Sequence, residues 1–198
     1  MSVKSEARKK KNILFVCCGN RERSLIAENL LGRKLEMKCP QLSEKVDIGS
    51  AGIFPKAYLE QARKLGVTFV APYFGKSPNI YAAKYLAGKG IDVSLYRSRE
   101  LTKRMLRKAD LVLAMDRVLK NEILGLKAKT SAEIGVLKEY IFGPDCPNPN
   151  IGDPMKFPKI DKKTGAWIWP EGYADDYILE IERCFAQGLE KFVDFIEG

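Results

Sequence analysis

The stretch Asn12–Glu28 reads NILFVCCGNRERSLIAE and holds the first strand, the first loop and the start of the first helix predicted for this chain. Residues 12–17 form a short apolar run that ends before Gly19-Asn20, the pattern of a buried strand followed by a turn. Residues 23–38 then predict a helix, because their apolar residues recur at steps of three and four along one face. A strand joined to a helix through a tight loop is typical of an α/β fold.

The rest of the chain continues this alternation of strands and helices. Further strands are predicted at about residues 45–50, 109–115 and 134–140, and further helices at about 79–89, 102–108, 117–126 and 175–196. We therefore expect an α/β fold: a single domain with a central four-stranded parallel sheet, flanked by helices on both faces and joined by right-handed crossovers. Two stretches, residues 54–76 and 141–172, interrupt the alternation, and loops of this length are usually functional or disordered.

Composition narrows the possible functions. The chain has 198 residues, of which 45% are hydrophobic and 30% charged, as in an ordinary globular domain. It contains no histidine, which excludes Ser-His-Asp and Cys-His nucleophile pairs and HExxH zinc sites. Any proton transfer must therefore use a carboxylate, a thiol, a phenol or an amine.

Charge and cysteine content favour a cytoplasmic protein with an anionic ligand. The net charge is +9, and residues 1–11 hold five basic residues and one acidic residue, so we expect a basic, disordered tail there and a folded domain over residues 12–198. The positive excess favours anionic ligands, but no nucleic-acid-binding motif accompanies it, so a nucleic-acid partner is not expected. Five cysteines without a CxxC pair predict a reduced setting, and no apolar run is long enough for a membrane span.

The loop from Cys17 to Ser24 (CCGNRERS) carries the residues with the clearest chemistry. Backbone N–H groups of a tight strand-to-helix loop can form an anion-binding nest, and the N-terminus of the next helix adds partial positive charge. A cysteine in such a nest ionises readily, and an arginine at the helix start can bind a phosphate through two hydrogen bonds. Ser24 can donate its hydroxyl proton to the sulfur. A lone cysteine that ends a strand is more often only a buried residue, so the prediction depends on the whole pattern.

Together with other segments, this loop resembles a known family. VCCGNRERSLIAE (residues 16–28) resembles V-C-x-G-N-x-C-R-S-P-x-A-E, the active-site signature of the low-molecular-weight protein tyrosine phosphatases. GSAG (49–52), GIDVSLYRSREL (90–101), ADLVLAMD (109–116) and Asp153-Pro154 resemble further family segments in the same order. The resemblance spans most of residues 12–195, with insertions at about 54–74 and 156–172, and implies a phosphate-binding loop after strand 1.

The resemblance implies a phosphomonoesterase without metal or cofactor that acts on phosphotyrosine-like aryl phosphates, in a phosphorylated protein or a small molecule. Cys17 would be the nucleophile that forms a cysteinyl-phosphate, Arg23 would bind the phosphate, and Asp153 would be the general acid and then the general base. Asn20 would hold the loop in shape through a hydrogen bond to Ser50. The substrate-binding residues of the loop would be Cys18, Gly19, Asn20, Arg21, Glu22 and Ser24.

Several positions depart from the family pattern or leave alternatives open. Glu22 replaces the second loop cysteine, so the family's protective disulfide cannot form in that way. Arg21 replaces an aliphatic residue and can either attract a second anionic group of the substrate or point to solvent. The carboxylates that compete with Asp153 for the acid role are Asp145 and Asp161. The aromatic residues that either wall the pocket or pack the second insertion on the domain are Trp167, Trp169 and Tyr173.

Two other functions stay open beside the phosphatase. Arsenate reduction occurs in a related branch, but it needs two further cysteines near the end of the third strand, where this chain has none. A catalytically silent anion-binding or interaction module could keep the same loop. The joint presence of Cys17, Arg23 and Asp153 favours the phosphatase.

Overall fold

The computed structural model describes residues 10–64, 73–152, 159–160, 167–168 and 172–198 of the chain. Four strands form a parallel sheet in the order β2-β1-β3-β4, which confirms the predicted α/β fold with a central four-stranded parallel sheet. Their bounds are β1 Lys11–Cys17, β2 Val46–Gly52, β3 Leu111–Ala114 and β4 Glu133–Val136. The first strand lies inside the sheet, with a paired strand on each side.

Helices connect these strands and flank the sheet. The described helices are α1 Arg23–Lys38, α2 Pro40–Ser43, α3 Lys56–Lys64, α4 Ile80–Gly88, α5 Lys103–Lys108, α6 Arg117–Gly125, α7 Leu137–Phe142 and α8 Tyr173–Glu197. Side-chain oxygens of Asn79, Thr102 and Asp116 accept hydrogen bonds from N–H groups in the first turns of α4, α5 and α6, and so cap these helices. No helix in the described ranges is long and apolar enough to cross a membrane.

The core forms where the central strand meets the last helix. Residues 13–17 of β1 are all buried, as expected for a parallel strand covered on both faces. Phe15 packs edge-on against Phe185 of α8 with ring centres 5.8 Å apart, and Phe192 completes the cluster. Burying one such ring contributes on the order of 2–3 kcal/mol, so these contacts fix α8 against the strand that ends at Cys17.

The fourth strand is shorter than the sequence predicts. The sequence predicts a strand over residues 134–140, but β4 ends at Val136 and the chain continues as α7. β4 pairs one to one with the four residues of β3, which offers no further residue for pairing. A helix satisfies the backbone of the following residues internally and buries Leu137 and Ile141, four residues apart on one face.

Both interrupting stretches contain some regular structure. α3 lies in the first stretch, and two short antiparallel strands, β5 (Lys159–Ile160) and β6 (Trp167–Ile168), lie in the second. The predicted tail falls mostly on residues 1–9, outside the described residues, and Lys11 already belongs to β1. The predicted site and wall residues that also lie outside the described ranges are Asp153, Asp161 and Trp169.

Candidate active site

The loop that follows β1 folds back over the thiol of Cys17. The Sγ atom accepts a hydrogen bond from the backbone N–H of Asn20 (3.2 Å) and another from the hydroxyl of Ser24 (3.0 Å). α1 begins at Arg23, so its N-terminus also faces the loop. Hydrogen-bond donors and a helix N-terminus together stabilise negative charge, both on a sulfur and on an anion bound beside it.

Asn20 holds the loop in this shape. Its φ is 53°, a left-handed conformation that asparagine adopts more readily than most residues. Its amide nitrogen donates to Ser24 Oγ (3.0 Å) and to Ser50 Oγ (2.8 Å), the second being the bond that the family resemblance implies. Its amide oxygen accepts from the Tyr96 hydroxyl (2.6 Å) and from the N–H of Arg99 (2.7 Å). Both donors and both acceptor positions of this buried amide are therefore used.

Arg23 is buried beside the loop, with 2% of its surface exposed. Its Nη1 atom donates to Asp116 Oδ2 (3.2 Å) and to the backbone carbonyl of Ile151 (3.0 Å). Asp116 follows β3 and also accepts the N–H of Leu119 (2.8 Å) at the start of α6. Because a buried charge needs an opposite charge and hydrogen bonds, these contacts hold the guanidinium at the carboxyl end of the sheet.

Ser50, the partner of Asn20, connects the loop to a largely buried carboxylate. Its hydroxyl donates to Glu28 Oε2, and Arg99 Nη2 lies 3.3 Å from each carboxylate oxygen of Glu28. Burial raises the pKa of Glu28 above its usual value of 4.5, although the contacts with Ser50 and Arg99 oppose this shift. Burial also raises the pKa of Tyr96 to about 12, so its hydroxyl stays protonated and can donate to Asn20.

Sequence reasoning missed three residues that position the loop: Glu28, Tyr96 and Asp116. Two of them have a signal in the sequence. Asp116 follows the third apolar run, so it lies at the carboxyl end of a parallel strand, as Cys17 does. Glu28 lies four residues after Ser24 in the same helix, so both side chains lie on the same face. Tyr96 has no comparable signal, because it lies in an irregular segment that only the tertiary structure brings to Asn20.

An aromatic cluster stands beside the loop. The ring centre of Phe54 lies 4.9 Å from that of Tyr73 and 5.7 Å from that of Phe74. A Cβ atom on Gly52 would lie 2.6 Å from both the Phe74 ring and the carbonyl oxygen of Cys18, so this glycine lets the ring approach the loop backbone. The cluster belongs to the first insertion. The side chains that the sequence suggested as a wall lie outside the described part of the structure: Trp167, Trp169 and Tyr173.

The remaining loop side chains take different positions. Cys18 is buried, and Glu22 is half-buried at the start of α1. Arg21 is exposed, but its Nε donates to the carbonyl of Ser77 (2.7 Å) and its own carbonyl accepts the N–H of Asn79 (3.0 Å). Arg21 is therefore tethered at the rim of the loop instead of extending loosely into solvent.

The segment that precedes the predicted acid contacts Arg23. Ile151 is buried, its N–H donates to the carbonyl of Met115 (2.9 Å), and its carbonyl accepts from Arg23. Asp153 is two residues further on and lies outside the described residues, whereas the rival Asp145 is described and exposed. Within the described ranges, no group of three cysteine or acidic side chains is placed to hold a metal ion.

Comparisons with known proteins relate this loop to phosphatases. A family model described as low molecular weight phosphotyrosine protein phosphatase matches residues 12–163. The probable low molecular weight protein-tyrosine-phosphatase EpsP of Ralstonia nicotianae is 33% identical over 170 residues, which cover 80% of this chain and 94% of EpsP.

Solved structures share the fold. The YwlE arginine phosphatase from Geobacillus stearothermophilus is 26% identical, with a TM-score of 0.63 over 93% of this chain and 94% of its own. A low molecular weight protein tyrosine phosphatase from T. tengcongensis is 24% identical, with a TM-score of 0.63 over 93% and 99% of the two chains. Because the family model covers most of the chain and EpsP aligns over nearly its whole length, the chain belongs to the low molecular weight phosphotyrosine protein phosphatase family.

Proposed function

We propose that this phosphatase hydrolyses phosphotyrosine-like aryl phosphate monoesters through a cysteinyl-phosphate intermediate. The observation that carries the proposal is the pair of hydrogen bonds to Cys17 Sγ, from the Asn20 N–H and the Ser24 hydroxyl, beside the buried Arg23. These groups combine a nucleophilic sulfur with donors for phosphate oxygens. Membership of the family supports phosphoester chemistry independently.

In the first step, Cys17 Sγ attacks phosphorus, an S–P bond forms and the bond between phosphorus and the aryl oxygen breaks. The loop N–H groups and Arg23 bind the phosphoryl oxygens, where charge is concentrated in the transition state. Asp153 donates its proton to the leaving oxygen. Its place in the chain supports this role, since Ile151, two residues earlier, binds Arg23 through its carbonyl.

In the second step, water attacks phosphorus and the S–P bond breaks, while the Asp153 carboxylate takes a proton from the water. The Ser24 hydroxyl stabilises the departing thiolate through the hydrogen bond of 3.0 Å to Cys17 Sγ. The products are inorganic phosphate and the regenerated thiolate. The chemistry requires no metal or cofactor, because the loop amides and Arg23 neutralise the phosphoryl charge.

Two features favour an aryl leaving group over a guanidinium leaving group. The ring cluster of Phe54, Tyr73 and Phe74 offers an apolar surface beside the loop. Arg21 places a positive charge at the rim, which repels the positively charged guanidinium part of a phosphoarginine side chain. Protein arginine phosphatase is the second candidate, because a protein of the same fold that is 26% identical is named as an arginine phosphatase.

Hydrolysis of matched phosphotyrosine and phosphoarginine peptides in the presence of a chelator tests the proposal. We expect a higher kcat/KM for phosphotyrosine and competitive inhibition by vanadate. A higher kcat/KM for phosphoarginine would favour the second candidate, and no turnover of either peptide would favour the silent anion-binding module. Cys17→Ser should abolish turnover and leave phosphate binding measurable, so substantial turnover by this variant would exclude the sulfur as the nucleophile.

A further inference from the structure

Arg21 is held at the rim of the phosphate site by its backbone and by its side chain. Its Nε donates to the carbonyl of Ser77 at 2.7 Å, and its carbonyl accepts the N–H of Asn79 at 3.0 Å. Both partners belong to the segment that leads into α4. A guanidinium that is already tethered loses less conformational entropy when it binds a ligand.

The Nη groups of Arg21 are not used within the described structure. A guanidinium has five N–H donors, and the bond to Ser77 occupies only the one on Nε. Among the described residues, neither Nη atom of Arg21 has a hydrogen bond or a carboxylate within 4 Å. Nearby arginines differ in this respect. Arg99 pairs with Glu28, and Arg97 Nη1 donates to two backbone carbonyls of its own segment.

Arg21 is close enough to the reacting sulfur to contact a bound substrate. It directly follows Asn20, whose backbone nitrogen lies 3.2 Å from Cys17 Sγ. Covalent geometry then limits the Cα of Arg21 to within about 9 Å of the sulfur, and an arginine side chain extends on the order of 6 Å beyond its Cα. At this distance an arginine side chain is long enough to reach a group attached next to the phosphorylated ring of a substrate.

We propose that Arg21 forms a second anion subsite, which selects phosphotyrosine that has an acidic side chain next to it in the substrate protein. This inference rests on the proposed aryl phosphatase function and adds the class of protein substrate. The planar fork of Nη1 and Nη2 matches the two oxygens of a carboxylate. The net charge of +9 also favours an acidic protein substrate.

Two phosphotyrosine peptides that differ only in their flanking residues test the subsite: one has glutamate on both sides of the phosphotyrosine, the other glutamine. The leaving group is the same, so the ratio of the two kcat/KM values measures the effect of the flanking charge. We expect the wild-type protein to prefer the acidic peptide by about threefold to tenfold at low salt, and the preference to shrink at about 0.5 M salt.

Substitution of Arg21 should change this ratio in a graded way. Arg21→Gln should bring it close to one, and Arg21→Lys should keep part of it, because lysine retains the charge without the planar fork. Arg33→Gln is a matched control, since it also removes one exposed arginine. In the described structure Arg33 pairs with Glu36 at the surface. The ratio for Arg33→Gln should equal that of the wild type.

Three results would overturn the subsite and leave the aryl phosphatase standing: equal wild-type rates on the two peptides, an unchanged ratio in Arg21→Gln, or the same loss of preference in Arg33→Gln. Thermal melting of each variant shows whether the loop and the segment at Ser77 stay folded, and the ratio is compared only among folded variants. No wild-type turnover of either peptide would instead overturn the proposed function itself.

Discussion

Arg23 Nη1 and Asp116 Oδ2 lie 3.2 Å apart, and only 2% and 7% of the two side chains are exposed. Arg23 opens the helix after β1, and Asp116 follows β3, so the pair joins the carboxyl ends of two neighbouring strands. Removing one partner of a buried pair leaves the other charge buried without compensation. The position of the guanidinium that we propose binds phosphate therefore depends on a carboxylate from a distant segment.

Asp116→Asn should weaken both the fold and the reaction. Asparagine caps a helix about as well as aspartate, so α6 keeps its cap while the charge facing Arg23 is lost. We expect the free energy of unfolding to fall by about 2–4 kcal/mol and kcat/KM for an aryl phosphate to fall by about 10- to 100-fold. Inorganic phosphate should restore part of the stability, because it binds only the folded state and supplies negative charge. Melting curves with and without phosphate measure this, and wild-type stability without phosphate would contradict it.

Ser24→Ala should slow breakdown of the intermediate more than its formation. The substitution removes the hydroxyl that donates to Cys17 Sγ at 3.0 Å, and with it the proposed stabilisation of the departing thiolate. We expect kcat to fall by about 10- to 100-fold, with a burst of aryl product and accumulation of phosphoenzyme in rapid-quench experiments. Ser24→Thr keeps a hydroxyl and serves as the control. Wild-type kcat without a burst in the alanine variant would show that the hydroxyl does not act on the leaving sulfur.

Asp153→Asn should remove the proposed general acid. We expect kcat/KM, which reports formation of the cysteinyl-phosphate, to fall by about 10²- to 10⁴-fold with phenyl phosphate, and by less with 4-nitrophenyl phosphate, whose leaving oxygen needs less protonation. Asp145→Asn is the matched control, because Asp145 is exposed and lies in the same loop region. A near-wild-type rate for Asp153→Asn, together with a large loss in Asp145→Asn or Asp161→Asn, would assign the role to one of the rivals.

The protonation of Glu28 should make stability depend on pH. Burial holds its pKa above the usual 4.5, so the folded protein binds this proton more tightly than the unfolded chain. Its contribution to stability is fully present below about pH 4.5 and is lost as pH rises through the raised pKa. Glu28→Gln removes this equilibrium, and its amide oxygen can still accept from Ser50.

Melting temperature measured across the pH range from about 4 to 7 checks this prediction. The decline with rising pH should be smaller in Glu28→Gln than in the wild type. Glu36→Gln is the control, since Glu36 lies on the same helix with 61% of its side chain exposed. Parallel curves for the wild type and Glu28→Gln would mean that Glu28 does not bind its proton more tightly in the fold.

Helices and strands whose bounds depend on a single segment could be predicted from the spacing of apolar residues in that segment. The helix predicted over residues 23–38 has the same bounds as α1. Its apolar face and its last turn both lie in one continuous segment, so they could be recognised from that segment alone. The end of β4 could not be predicted in this way. Its length follows from the four residues of β3 that it pairs with, and the apolar run beyond Val136 suits a strand and a helix equally well.

Residue types and spacings within short continuous segments were enough to predict the parallel α/β fold, the family, and the loop that presents Cys17 and Arg23. The side chains that contact this loop from distant segments are known only from the folded structure. Asp116 is 93 residues from Arg23, and Tyr96 is 76 residues from Asn20. These contacts depend on the order of the strands and on how irregular segments pack at the carboxyl ends of the strands. Local helix and strand preferences do not predict either of them.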